Sequence, residues 1–152
     1  MGMLQPLHKA AGMLGVAQIE TAGALLRELR ERGYCRIVLI HHPPLPGLAP
    51  PRKALVDAAY LREILEREGA ELVLHGHNHV HMLNALRSRF GTVNVIGVPS
   101  ASMALKTHHD LASWYLYKVV RAEGRWNISA TVRAWDALTR QFHTVKEFAL
   151  PT

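Results

Sequence analysis

The sequence predicts an α/β domain in which one βαβ unit leads into a mostly antiparallel β-meander. Three observations carry this. Two amphipathic stripes with helical period each stop at a glycine, and each is followed by a short β-rich run that ends in histidine. The distance from Gly33 to His41 equals the distance from Gly69 to His77, eight residues. From residue 113 onward the period changes to alternation, broken by short turns.

Residues 1–15 hold three glycines and a proline with no clear period, and read as a loop or an extended lead-in. Ile19, Ala22, Leu25, Leu26 and Leu29 then form a helical stripe ending at Gly33, with Arg30 and Arg32 placed to complement the C-terminal dipole. Residues 35–40, Cys-Arg-Ile-Val-Leu-Ile, are almost continuously apolar toward their end, as expected of a strand covered on both faces. Pro43 and Pro44 stop that strand, and Pro43 holds His42 toward extended geometry. A loop rich in Pro and Gly follows at 45–53, then a second helix with Leu61, Ile64 and Leu65 inward and Gly69 as its stop. Residues 71–75 are the next strand. A strand, a crossover helix and a second strand give a parallel pair in right-handed connection, so His41 and His77 should emerge at one edge of neighbouring strands. That edge is where open α/β sheets place ligands.

Residues 72–81 read Leu-Val-Leu-His-Gly-His-Asn-His-Val-His, an apolar strand running into imidazoles at alternate positions. Gly76 offers a place for the chain to turn, leaving His75 at the strand end and His77 with His79 in the following loop. Neutral imidazoles a few ångströms apart suit zinc, manganese or iron. The alternative is a solvated histidine-rich turn. Strands are expected at 82–89 and 92–98, a turn with small hydroxyl residues at 99–102, and strands at 113–121, 125–135 and 141–148. Trp114, Tyr115, Tyr117, Trp126 and Trp135 read as core and cross-strand packing. His108, His109 and Asp110 read as a solvated loop, and His8 and His143 receive no role.

Composition narrows the function classes. The 152 residues are 49% apolar and 20% charged, enough for one domain with a real core. The single cysteine, Cys35, makes no internal disulfide, which favours a reducing, cytoplasmic setting. No secretory signal is expected in residues 1–9, and no apolar run is long enough to span a bilayer. The net charge of +6 comes from scattered arginines, a field that attracts anionic substrates. No basic run interleaves with aromatics, which argues against a nucleic-acid surface.

His41-His42-Pro43-Pro44 together with Gly76-His77-Asn78-His79 resembles the calcineurin-like metallophosphoesterases, and bacterial phosphodiesterase members in particular. The resemblance covers most of the chain from about Gly12 onward. It implies the C-terminal half of an α/β/β/α sandwich, with residues 1–152 as a single unit of a larger domain. It implies two divalent metal ions, Mn, Fe or Zn, with His41 and His77 on one and His79 on the other. His42 would lie just outside the ligands and touch the leaving group or substrate. It also implies a phosphohydrolase, with a phosphodiesterase expected, acting on a small phosphate ester by attack of a hydroxide shared between the ions. Two cations about 3.5–4 Å apart lower the pKa of such a water and neutralise the phosphate oxygens.

The same resemblance implies carboxylate motifs from an N-terminal half: Asp-x-His, Gly-Asp and Gly-Asn-His-Asp/Glu. None of these occurs among the twelve acidic residues and their neighbours. The expectation is therefore half an active site, a truncated chain or natural fragment completed by an N-terminal half in trans or by a homo-oligomer. A non-catalytic metal-binding or interaction domain derived from that family is the competing expectation. A nuclease built on His77-Asn78-His79 lacks the separated ββα-metal pattern.

Overall fold

The computed structural model describes residues 10–102 and 111–151. Residues 1–9 and the polar cluster His108, His109 and Asp110 lie outside the described residues. Helix α1 spans Val16–Glu31, and strand β1 Ile37–Ile40 follows. A single 3₁₀ turn, Pro51–Lys53, precedes helix α2, Ala58–Glu68, and strand β2, Leu72–His75. Strands β3, Met82–Ser88, and β4, Gly91–Gly97, form a hairpin, and β5 Ser113–Ala122, β6 Arg125–Asp136 and β7 Gln141–Ala149 complete the chain.

The first sheet has the order β1-β2-β4-β3, with β1, β2 and β4 parallel and β3 antiparallel to β4. The second is the antiparallel meander β5-β6-β7. The predicted α/β class, with its βαβ unit and closing meander, is therefore the observed one.

Alternation in the parallel strands assigns the two faces. Val73, Val93 and Val95 point to the helices, where they meet Ile19, Leu26, Leu61, Ile64 and Leu65. Leu72 and Ile96 point the other way, onto Ile128 and Leu150 of the meander side with Tyr115, Tyr117 and Phe148 around them. The layers are thus helices, mixed sheet, meander. The residues expected inward on α2 are buried, and Gly69 ends that helix with φ 71. Such a left-handed angle is one a side-chain-bearing residue adopts only at a cost.

Two expectations about burial are corrected. Leu25, placed in the α1 stripe, is 52% exposed, and the buried positions of α1 are Ile19, Gly23 and Leu26. Gly23 takes an inward place because a Cβ there would meet the Ile64 side chain at 3.0 Å, so the helices approach closely at that point. Strand β1 is not covered on both faces. It is an edge strand, with Ile37 44% and Leu39 76% exposed. Val38 and Ile40 pack toward the helices, but the meander does not reach over the other face of β1. Of the aromatics, Tyr115 and Tyr117 pack inward, whereas Trp114 is 38% exposed. Trp135 stacks edge-on against Phe142, its register partner on β7.

Candidate metal centre

The parallel register carries β1 and β2 to the same edge: Ile40 pairs with His75, so the next residues of both strands leave the sheet together. His41 follows β1 directly, and its carbonyl accepts a hydrogen bond from the Gly76 amide at 3.1 Å, which extends the ladder one step. Buried Pro43 and Pro44 then end pairing and anchor the chain under the site. The expected juxtaposition of His41 with His77 follows. Their rings sit with centroids 4.9 Å apart, and His77 Nδ1 is 3.0 Å from His41 Nε2. His42 joins them, its centroid 4.3 Å from that of His77 and 5.0 Å from that of His41.

The turn that presents His77 is not made where glycine suggested. Positive φ falls on His77, at 68°, and on His79, at 58°, and not on Gly76. Each such residue with a Cβ costs about 1–2 kcal/mol. Asn78 between them holds the conformation: its amide donates to the Gly76 carbonyl at 2.8 Å, and its Nδ2 donates to the Leu48 carbonyl at 2.7 Å. Backbone strain of this kind persists where surrounding contacts impose it, and such places cluster at functional sites.

The electrostatics favour the neutral ring at His77. Burial is the main cause that lowers the His77 pKa, and the neighbouring His42, His41 and Lys53 push it the same way. The Lys53 main chain, the smallest of these effects, pulls in the opposite direction. Among the described residues, His77 Nε2 is buried and has no hydrogen-bond partner. A bare, buried ring nitrogen is a poor outcome for packing alone and a good one for a Lewis acid, which requires an unprotonated nitrogen. His42 is fixed differently. Its Nε2 donates to the Ala10 carbonyl at 3.0 Å, and Gly12 lies against its ring so closely that a Cβ there would fall 2.6 Å from Cε1.

His79 lies two residues beyond His77 in the same turn, half-buried, and His75 is almost fully buried at the end of β2. His75 Nδ1 donates to the Gly76 carbonyl at 3.3 Å, its Nε2 is buried without a partner among the described residues, and burial lowers its pKa. Gly97 on β4 makes room for that ring, since a Cβ there would lie 2.5 Å from its Cε1. His81 turns away to the meander side, with Nδ1 2.9 Å from the Tyr115 hydroxyl and Nε2 3.4 Å from Ser113 Oγ. Sequence periodicity missed Gly12, Lys53 and Gly97, because each reaches a histidine through tertiary contact.

Among the described residues, no group of three or more His, Cys, Asp or Glu side chains is gathered as a metal-holding set. Asp57, the carboxylate of the α2 N-terminus, is occupied by the Leu14 and Gly15 amides at 2.7–3.3 Å. The nitrogen donors present fit part of a metal site, with His77 Nε2 as the atom best prepared for it.

No family model matches the chain. The chain is similar to a protein of Synechococcus sp. (strain WH7803) named a probable cyclic nucleotide phosphodiesterase. The two are 32% identical over 99 residues, which is 61% of this chain and 37% of the relative. The match thus spans little more than a third of that relative's length. Among the described residues no helix is long and apolar enough to cross a membrane.

Proposed function

We propose that this chain is the C-terminal part of a calcineurin-like metallophosphoesterase domain, a metal-dependent phosphohydrolase whose substrate is a small phosphate diester. The carrying observation is the approach of His41 and His77 at the carboxyl edge of two parallel strands, with His77 Nε2 buried and unpartnered. The partial similarity to a named phosphodiesterase supports the same assignment. His41 and His77 would hold one divalent cation, Mn, Fe or Zn, and His79 a second. Bound cations would supply charge neutralisation at the phosphate and a more acidic water. His77 contributes a ring whose pKa burial lowers, which favours the unprotonated nitrogen that a metal needs. His42, its ring oriented by Ala10 and Gly12, presents its other edge beside His77, where it would steady the ester's leaving oxygen.

The domain assignment has its own support in β1. Its Ile-Val-Leu-Ile sequence suits a strand buried on both faces, yet Leu39 is 76% exposed. A further polypeptide segment along this edge would cover it and bring the carboxylates the histidines lack. An N-terminal half in trans or a second copy would serve the same purpose.

Metal binding and turnover test the proposal together. Equilibrated with manganese, the purified chain should bind about one ion or more per protomer with loss in His77→Ala. In the longer protein His77→Ala should abolish metal-dependent diester hydrolysis, and unchanged turnover there would overturn the assignment. A second reading, a metal-binding or interaction domain without catalysis, is favoured by one observation: among the described residues no set of three or more His, Cys, Asp or Glu side chains gathers there as a metal site. It predicts metal binding with no hydrolysis even after a separately expressed N-terminal half is added.

A further inference from the structure

The two sheets do not end together. Leu39, Leu74 and Ile96 stand in one row across β1, β2 and β4, on the face turned away from the helices. Exposure along that row runs from 76% at Leu39, through half-buried Leu74, to 1% at Ile96. The row through Ile37 and Leu72 falls from 44% to 0%. The meander therefore stops over β2, and the first sheet outruns it by about one strand, roughly 4.8 Å. A shallow trough of about 410 Å³ marks the uncovered strip, with Leu39, Leu74 and Val98 along it.

Strand β5 borders this strip. Its Arg121 guanidinium lies 3.5 Å from the place of a Cβ on Gly33, ahead of β1, whereas the Pro151 carbonyl beyond β7 accepts from Asn94 of β4. Its other end, Ser113 and Tyr115, reaches His81 just ahead of β3. Strand β5 thus runs antiparallel to β1 and crosses the first sheet aslant. Among the described residues no strand pairs with its outer edge. The Trp135 amide donates to the Ala112 carbonyl at 2.8 Å, so the register bonds the even-numbered residues of β5 to β6. It turns the N–H and C=O groups of Tyr117 and Val119 toward the open edge. The opposite edge of the meander is guarded: β7 is irregular at the register shift facing Val132 and Arg133, with Lys146 and Glu147 exposed there. In β5 ten residues run without bulge or proline, and Leu116 and Val120 are exposed beside a single Lys118.

We propose that the open edge of β5 accepts one extended segment of another polypeptide, antiparallel to β5, apolar on both faces and acidic where it passes Lys118. Its main chain completes the ladder at Tyr117 and Val119, and alternate side chains rest on Leu39, Leu74 and Val98. The remaining side chains flank Leu116 and Val120. A carboxylate among them faces Lys118, which forms no ion pair among the described residues. A single strand fits because the uncovered strip is one strand wide. A second copy of this chain does not fit: joining two β5 edges brings in a second four-stranded sheet, and the two β1 strands contend for one strip. Docking of this kind needs no metal and holds whatever the histidines do.

The test uses the 152-residue chain and a capped peptide, Ser-Ile-Val-Glu-Val-Leu-Val, which lies antiparallel to β5 with its Glu facing Lys118. Calorimetric titration in metal-free buffer should saturate below about 1 mM. N-methylation of the peptide's third and fifth residues, whose amides face β5, should weaken binding by about tenfold or more. Leu39→Asp alters an exposed side chain, and its unfolding temperature verifies that the fold is kept. It should weaken the peptide by about tenfold, since the aspartate would be covered without a partner. Main-chain hydrogen exchange at Tyr117 and Val119 should slow by about tenfold or more on saturation, whereas Leu116 and Lys118 are protected already in the free chain. No saturation below about 1 mM, equal binding of the methylated peptide, or indifference to Leu39→Asp would each overturn the proposal. So would Tyr117 and Val119 amides that are already slow in the free chain, or sedimentation showing that two chains join through β5.

Discussion

Arg36 at the amino end of β1 and His77 beyond the carboxyl end of β2 sit on the same strand pair, yet their nitrogens are treated in opposite ways. Arg36 receives the Glu71 carboxylate on two nitrogens at 2.7 and 3.1 Å, and donates to the Glu68 and Gly69 carbonyls at 2.8 and 3.1 Å. Glu68 beside it is reached by Arg27, Arg30 and Arg67. His77 meets two more histidines and Lys53, and keeps a buried nitrogen with no partner. One end is a completed network. The other is left open, in a strained turn, the kind of place where local rules are often broken at functional sites.

The strongest way to break the contrast is to remove its completed side. Arg36→Met removes both guanidinium bonds to Glu71, leaving that carboxylate only the main-chain amide of residue 36, and takes the donor from the Gly69 carbonyl, so it should lower stability by about 3 kcal/mol in denaturant titration. His77→Ala, by comparison, should shift the unfolding midpoint far less, since it removes one imidazole–imidazole hydrogen bond to His41 and no ion pair. An equal loss in both variants would erase the distinction between the ends.

Acid titration probes the same network with a definite sign. The Arg27 guanidinium, aided by Arg67, holds the Glu68 carboxyl down at about 2, against an ordinary value of 4.5, although burial opposes the shift. Its contribution is therefore fully present above pH 4.5 and is lost as pH falls toward 2. Glu68→Gln should cost about 2 kcal/mol near neutrality, less than the full shift implies because Arg27 and Arg67 are partly solvent-screened. That difference should vanish near pH 2, and a constant gap across the range would contradict the assigned pairing.

Smaller effects sharpen the histidine end. Gly12→Ala should push the His42 ring off the Ala10 carbonyl at a cost of about 1 kcal/mol, seen as a change in the His42 imidazole NMR shifts with little change at His75. Leu39→Thr should change the stability of this chain by less than about 0.5 kcal/mol, because that side chain is already exposed. The same substitution in the longer protein should cost about 1 kcal/mol or more if a further segment covers β1. Equal, negligible effects in both would remove the support that β1 lends to a larger domain.

Much of this molecule was legible before any coordinates. The helix–glycine–strand–histidine spacing placed His41 beside His77, because parallel strands of equal phase must emerge together. Alternation located the meander strands within a residue or two of their ends. The misreadings share a cause. Apolar content predicted a covered β1, but coverage depends on which layers reach that edge. Gly76 marked the turn, yet His77 and His79 adopt the left-handed angles, since the Asn78 anchor to Leu48 decides the path.

The sequence by itself determined the order of elements, the face each strand residue takes and the residue types available for metal chemistry, because these depend on period and local stereochemistry. Only the tertiary structure decided that His42 turns to Ala10 and that His77 Nε2 is left bare. It also decided that the meander stops over β2, which leaves β5 an open edge beside Leu39 among the described residues. Those facts arise between segments distant in the chain, where packing and exclusion of water, and not neighbouring residues, set which polar atoms find partners.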